Sequence, residues 1–236
     1  MSTTVALNPQ QHANLRIRDT IDAQRFGTQQ VVPVVVQEFG KAGGDCPVVF
    51  VKNATAGRFQ PVQLVGLAQN ENLMLLDEEW LGLYIPGALR LDPLRLAATG
   101  RDSGELAVAV DTDSPLVGET EGEALFDEQG QPTAFLSARQ QALAEYYEHG
   151  QATEAFVARL EELDLLRPQE LSIDLRNEQA RVGGIYLVDE GRLHELGDEV
   201  LLELVRRGYL QAIHSHLMSV QQVRRLARLR SIAASA

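Results

Sequence analysis

The chain has a single cysteine, Cys46, among its 236 residues. One thiol cannot close an intramolecular disulfide or build a multi-cysteine zinc site. No stretch approaches the roughly 18 to 20 continuous apolar residues that a membrane-crossing helix needs. The opening "MSTTVALNPQQHANLRIRD" has no charged start followed by an apolar run, so it does not read as a secretory leader. The expected location is the cytoplasm, with export by a route that needs no leader as the alternative. Phosphate loops are missing as well: "GKAGGD" lacks the lysine-hydroxyl pair and "GLAQNEN" lacks the dinucleotide spacing. So is the G-x-S-x-G turn that presents a serine nucleophile.

Positive charge is scarce. The chain carries 21 Lys and Arg against 33 Asp and Glu, a net charge of -12. That balance disfavours nonspecific binding to nucleic acid or anionic lipid. The charge is also uneven: residues 102–138 hold nine acids and no Lys or Arg, whereas residues 222–236 hold four arginines and no acid. Within the acidic region, "DTDSPLVGETEGEALFDEQG" packs seven carboxylates into residues 111–130. A calcium loop of the EF-hand kind needs an oxygen ligand at its fifth position, glycine at its sixth and glutamate at its twelfth. Counted from Asp111, those positions are Pro115, Leu116 and Gly122, so the pattern fails and no metal or other cofactor is expected. Glu119, Glu121 and Glu123 alternate, and an extended backbone would turn them to one side as a docking strip or a solvated connector. The following "LFDEQGQPT" reads as a turn closed by Gly130 that launches a helix.

What remains is ordinary globular material, 44% hydrophobic and 23% charged. Between Thr28 and Gly43, Val32, Val35, Val36 and Phe39 recur at helical spacing, which favours helix over the strand that so many valines would also suit. "CPVVFVKN", "FQPVQLVGLAQ" and "ELAVAVDTD" read as strands. In the second half, "PTAFLSARQQALAEYYEHG" is a helix ended by Gly150, and "ATEAFVARLEELDLLRP" is a second. A hairpin follows in "ELSIDLRNEQARVGGIYLVD", with its turn near Asn177. Asp198 caps a helix that Gly208 stops, and the rest closes as helix with a restart at Ser219. The expected fold is α+β, with a sheet-rich N-terminal half and a mostly helical C-terminal half around one small hairpin. The expected organisation is a single domain over 1–236, or two lobes, a mixed β-rich one over 1–128 and a helical one over 129–236.

The candidate chemistry is thin. Cys46 sits at the mouth of an apolar run without basic neighbours in sequence, the setting of a buried structural thiol. His214 and His216, two apart on a helix, point about 200° from each other and cannot share a metal, so one packed and one surface histidine are expected. Trp80 and Tyr84 flank "LGL" and could line a ligand pocket with Arg90 or simply cover the sheet. Glu121 and His216 complete that pocket set, and no catalytic residue is assigned. The C-terminal arginines lie on a helix with an apolar side, which should dock on the acidic body, with region 102–138 as the obvious counter-charge.

Several stretches together resemble the SapC family of bacterial proteins: "VALNPQQHANLRI", "VPVVVQEFGKAGGDCPVVFVKN", "WLGLYIPGALRLDPL", "DTDSPLVGETEGEALFDEQGQPT" and "HSHLMSVQQVRRLA" among them. The likeness runs from about Val5 to Ala227. The resemblance implies a nominal surface-layer role. It also implies an accessory part beside TonB-dependent outer-membrane receptors and proteins similar to flavin-dependent halogenases. It does not extend to the peptide-transporter permease of the same name, which needs transmembrane helices. Three functions are therefore expected to compete. They are a non-catalytic interaction protein with a protein partner, a small-ligand binder or enzyme with a pocket between the halves, and a surface-layer component. Self-association into a homo-oligomer is compatible with each.

Overall fold

The computed structural model describes residues 3–53, 57–76, 78–98, 106–175 and 179–233. The chain opens with strands β1 (Thr4–Ala6) and β2 (Arg16–Ile17), then helix α1 (Ala23–Phe26) and strand β3 (Val31–Pro33). A short 3₁₀ turn, Val36–Glu38, leads into α2 (Phe39–Asp45), and β4 (Val48–Lys52) and β5 (Phe59–Leu64) follow. Next come β6 (Leu75–Leu76), β7 (Glu79–Trp80), α3 (Gly87–Arg90), β8 (Leu94–Ala98) and β9 (Leu106–Asp111). The short strands β10 (Val117–Gly118) and β11 (Glu123–Ala124) precede the long helix α4 (Ala134–Glu162). The hairpin β12 (Leu166–Asp174) and β13 (Gln179–Val188) is followed by α5 (Glu190–His194), α6 (Asp198–Arg206), α7 (Tyr209–Ser219) and α8 (Val223–Ala233). The fold is α+β, sheet-rich first and mostly helical from α4 onward.

The valines of residues 31–36 settle the helix-or-strand question differently from their spacing. Val31, Val32 and Pro33 pair with Leu64, Gln63 and Val62, so the helix between Thr28 and Gly43 exists only in its second part. β-Branched side chains pack well on a pleated surface, and β3 is the edge of its sheet, where Pro33 needs no ladder donor. A second correction concerns α4, which runs unbroken through Gly150 where two helices were expected. A mid-helix glycine costs only about 1 kcal/mol. Buried Leu136 and Leu143 before it, and Phe156 and Leu160 after it, hold the helix on both sides. Elsewhere punctuation works as read. Gly208, at φ 73°, ends the α6 segment, α7 stops at Ser219, and Gly130, at φ 74°, closes the turn after Asp127. Asp198 is the first residue of α6, with Gly197 in the capping position. The turn at Asn177 lies outside the described residues.

The chain divides into two compact units, Met1–Ala23 with Gly87–Glu148, and Gln24–Pro86 with His149–Ala236. The first unit contains the three-stranded sheets β1-β9-β8 and β10-β2-β11. Its core gathers Ile17, Leu94, Val110, Leu125, Phe126 and Leu136. Here the acidic stretch has structural work at its ends. Asp111 meets Arg95 at 3.2 Å, and Asp127 Oδ1 accepts the N–H groups of Gln129 and Gln131. Glu119, Glu121 and Glu123 lie exposed between and within β10 and β11, on either side of β2.

The second unit is built on the antiparallel sheet β12-β13-β4-β5-β3. Phe39, Phe50 and Phe156 meet in its core, with ring centroids 5.9 to 6.5 Å apart. Such tilted and edge-to-face contacts add about 0.5–1.5 kcal/mol per pair beyond area burial. α8 docks within this unit, as expected: Leu226 is buried, Arg225 pairs with Asp45 at 2.7 Å, and Arg230 lies 3.7 Å from Glu71. Among the described residues, Arg225 thus finds its counter-charge in Asp45 and Arg230 in Glu71, where region 102–138 was expected to supply it. A guanidinium chooses a fixed, largely desolvated carboxylate over a more numerous but exposed set, because water screens the latter.

Candidate functional site

α2 has two faces, and each organises a feature of the second unit. Glu38, Lys41 and Asp45, spaced by three and four along the 3₁₀ turn and helix, address the segment after β7. Asp45 Oδ2 accepts the Tyr84 N–H at 2.9 Å, and its Oδ1 holds Arg225 Nη1. Arg225 Nη2 donates to the Leu81 carbonyl at 2.7 Å. Trp80 Nε1 donates to the Tyr84 carbonyl, and the Tyr84 hydroxyl donates to Glu38 Oε1, both at 2.8 Å. Lys41 Nζ stands 5.6 Å from the centre of the Tyr84 ring. Only glycine fits inside this knot. A Cβ on Gly82 would fall 2.5 Å from Trp80 Nε1 and 2.8 Å from Asp45 Oδ2. The result is a loop tied from within that presents Leu83, 100% exposed, at its tip, with Ile85 also exposed beside it.

The opposite face of α2 carries Gly40 and Gly43, which let α7 approach closely. A Cβ on Gly43 would sit 3.0 Å from the Ser219 Cβ. Where the two helices separate, toward the start of α7, a cleft of about 370 Å³ opens between Gln37, Gly40, Lys41, Arg207, Tyr209 and Ser215. Arg207 stacks its guanidinium 5.7 Å from the Tyr209 ring centre, and its Nε lies 3.2 Å from Glu203. The cleft therefore combines an aromatic wall, two basic side chains and amide donors. It suits a small organic anion by chemistry.

His216 and Ser219 lie deeper on α7. His216 Nδ1–H donates to the Val48 carbonyl at 2.7 Å, and Nε2 accepts the Val188 N–H at 3.1 Å. Ser219 Oγ accepts the Val48 N–H at 2.9 Å and donates to the His216 carbonyl at 2.6 Å. Burial pushes the His216 pKa down to about 4, only partly opposed by the bond to Val48, so the ring is neutral. Cys46, also buried, has its thiol pushed up to about 12 by burial; nearby Arg225 lowers it and Asp45 raises it. Neither group is poised for proton transfer or nucleophilic attack near neutral pH. Among the described residues, no group of three His, Cys, Asp or Glu side chains is placed to hold a metal ion.

The SapC family model matches residues 7–226. The chain belongs to the SapC family. No curated protein matches it, and no solved structure does. Among the described residues, no helix is long and apolar enough to cross a membrane.

Of the five pocket candidates named from sequence, this SapC-family chain brings Trp80 and Tyr84 together in one hydrogen-bonded loop of the second unit. His216 belongs to the same unit, in its core, with both ring nitrogens engaged by main chain. Arg90 and Glu121 belong to the first unit. Arg90 is exposed, and its carbonyl accepts a bond from Arg139, which also pairs with Asp19. Glu121 is exposed and lines a depression with Arg18 and Thr120. Of the histidine pair, His216 is the packed member and His214 the exposed one. Sequence reasoning missed Asp45, Glu38 and Arg225. Asp45 and Arg225 lie 180 positions apart, and no local spacing announces such a pair.

Proposed function

We propose that this SapC-family protein is a non-catalytic accessory protein that binds another protein through the loop of residues 81–86. The observation that carries the reading is Leu83, wholly exposed on a loop anchored by Asp45, Arg225, Trp80 and Glu38. An isolated exposed leucine is ordinary. One held on a pre-tied loop, with its ordering cost already met in the free protein, has the character of an interface anchor. The inert state of Cys46 and His216 supports a role without catalysis. The setting that fits the family resemblance is the cytoplasm, in service of TonB-dependent receptor and halogenase-like uptake or processing systems. A surface-layer association is the rival, and finding the protein only in the cytosolic fraction would dispose of it.

The test is co-purification from native cells with cross-linking and mass spectrometry, comparing the natural chain with Leu83→Asp. A partner recovered with the former and lost with the latter supports the reading. Recovery of the natural chain only as a free monomer overturns it.

The cleft beside α7 favours a second reading, a small-ligand binder whose ligand carries an anionic group on an apolar body. Benzoate and inorganic phosphate at millimolar concentration are the probes. Melting temperature raised by benzoate in the natural chain, but not in Lys41→Gln/Arg207→Gln, supports it; no shift with either probe removes it.

A further inference from the structure

Lys41 belongs to two features at once. It lines the cleft between α2 and α7 together with Gln37, Arg207, Tyr209 and Ser215. Its ammonium also stands 5.6 Å from the centre of the Tyr84 ring, in the loop that presents Leu83. Tyr84 ties that loop down through its N–H on Asp45 and its hydroxyl on Glu38. Among the described residues no acid lines the cleft, although the chain holds 33 of them. The two cations of the cleft differ in freedom. Arg207 is braced on two sides, with Nε 3.2 Å from Glu203 and its guanidinium against the Tyr209 ring. Lys41 is exposed, and among the described residues no carboxylate pairs with its ammonium. Its flexible stem lets the ammonium turn from an aromatic face to an anion beside it.

We propose that the cleft is a regulatory site for the loop of residues 81–86: an organic anion bound there draws the Lys41 ammonium off the Tyr84 ring and loosens the presentation of Leu83. The proposal rests on the small-ligand reading of the cleft and adds what that ligand controls. Its direction follows from the relative strength of two contacts. A cation over an aromatic face at an exposed site is weak, whereas an ammonium donating to a carboxylate makes a charge-assisted hydrogen bond of the strong kind. With the anion present, the ammonium turns to it. The loop keeps the Tyr84 N–H on Asp45, the Tyr84 hydroxyl on Glu38 and the Trp80 indole on the Tyr84 carbonyl, so it loosens without detaching. A ligand shifts an equilibrium only through a contact that differs between the two states, and Lys41 is that contact. The stabilisation given up at Tyr84 corresponds to a factor of about two to five. Linkage makes the effect reciprocal: a partner that holds the loop in its tied form weakens the anion by the same factor.

The experiment follows amide hydrogen exchange over residues 81–86 in the full chain, comparing saturating benzoate with sodium chloride at equal ionic strength. Melting temperature and calorimetry report whether benzoate is bound. Benzoate should raise the melting temperature and yet speed exchange in this loop by about two- to fivefold. Lys41→Gln, a change at an exposed position, should show the faster exchange without benzoate and gain no more with it. Tyr84→Leu frees the ammonium in advance, so the folded variant should bind benzoate about two- to fivefold more tightly than the natural chain. Benzoate that binds but leaves exchange over 81–86 unchanged or slower overturns the inference and leaves the cleft reading standing. So does equal or weaker binding by folded Tyr84→Leu. Benzoate that does not bind the natural chain removes the cleft reading, and the inference falls with it.

Discussion

His216 bridges Val48 and Val188, the two residues that the sheet ladder would join next. β13 and β4 pair at Ile185↔Val51 and Tyr186↔Phe50, and the same register brings Val188 opposite Val48. There the imidazole takes the place of the direct bond, donating to one strand and accepting from the other. Ser219, one turn along α7, satisfies the remaining Val48 N–H. A helix is thereby keyed into the sheet at a point where the strands diverge. Replacing His216 by leucine keeps much of the volume but leaves the buried Val188 N–H unpaired and the Val48 carbonyl with only the Ser219 hydroxyl at 3.5 Å. At about 1–3 kcal/mol for each group deprived of its partner, the loss should be about 2–6 kcal/mol. Urea denaturation of His216→Leu checks this, and an unchanged midpoint would mean that the bridge contributes nothing.

The same bridge makes stability depend on pH. The folded protein holds His216 neutral with a pKa near 4, against an ordinary value of 6.5. Between those values the unfolded chain binds a proton on this residue and the folded chain does not. Stability from this group is therefore complete above pH 6.5 and falls as the pH drops toward 4. The span is worth about 3 kcal/mol. Carboxylates titrate in part of the same range, so the informative quantity is the difference between the natural chain and His216→Gln. The variant should lose less stability across the window. Parallel curves would show that His216 does not titrate on unfolding in this way.

How far the sequence spoke depends on the range of the interactions involved. Glycines 130 and 208, strands β4 and β5, the β12-β13 hairpin and the helical character of the second half are written in short-range punctuation and periodicity, and they appear where expected. The Val31–Pro33 strand was hidden because Val32, Val35, Val36 and Phe39 also satisfy a helical period. Gly150 misled for the opposite reason: a local stop signal was overridden by burial on both flanks. At the candidate site, Trp80 and Tyr84 stood out as large aromatics, but what makes their loop rigid is Asp45 and Arg225. A lone aspartate in "GGDCP" and one arginine among four give no hint that they meet.

Cys46 should resist modification. Its side chain is fully buried, and its pKa near 12 leaves almost no thiolate at neutral pH. In native buffer an aromatic disulfide reagent should label the protein only at the rate of unfolding, whereas in denaturant it should react at once with one thiol per chain. Fast labelling of the native protein would show that this part of the core opens readily. It would also reopen the question of a reactive cysteine.

The C-terminal helix should behave as part of the fold. Leu226 is completely buried, and burying a leucine is worth about 1.5–3 kcal/mol. Arg225 contributes differently. Asp45 is only 3% exposed at its side chain, and without the guanidinium its charge would be left uncompensated in a dry site. Arg225→Ala should therefore cost about 2–4 kcal/mol, somewhat less than a wholly buried pair, because the arginine keeps partial access to water. The loop bearing Leu83 should loosen with it, since the same guanidinium holds the Leu81 carbonyl. Deleting the residues after Ser219 removes Leu226 and Arg225 together, so it should lower the melting temperature more than Arg225→Ala alone and expose apolar surface to a hydrophobic dye. A truncated chain that melts like the natural one but no longer binds its partner would assign the whole helix to the partner instead.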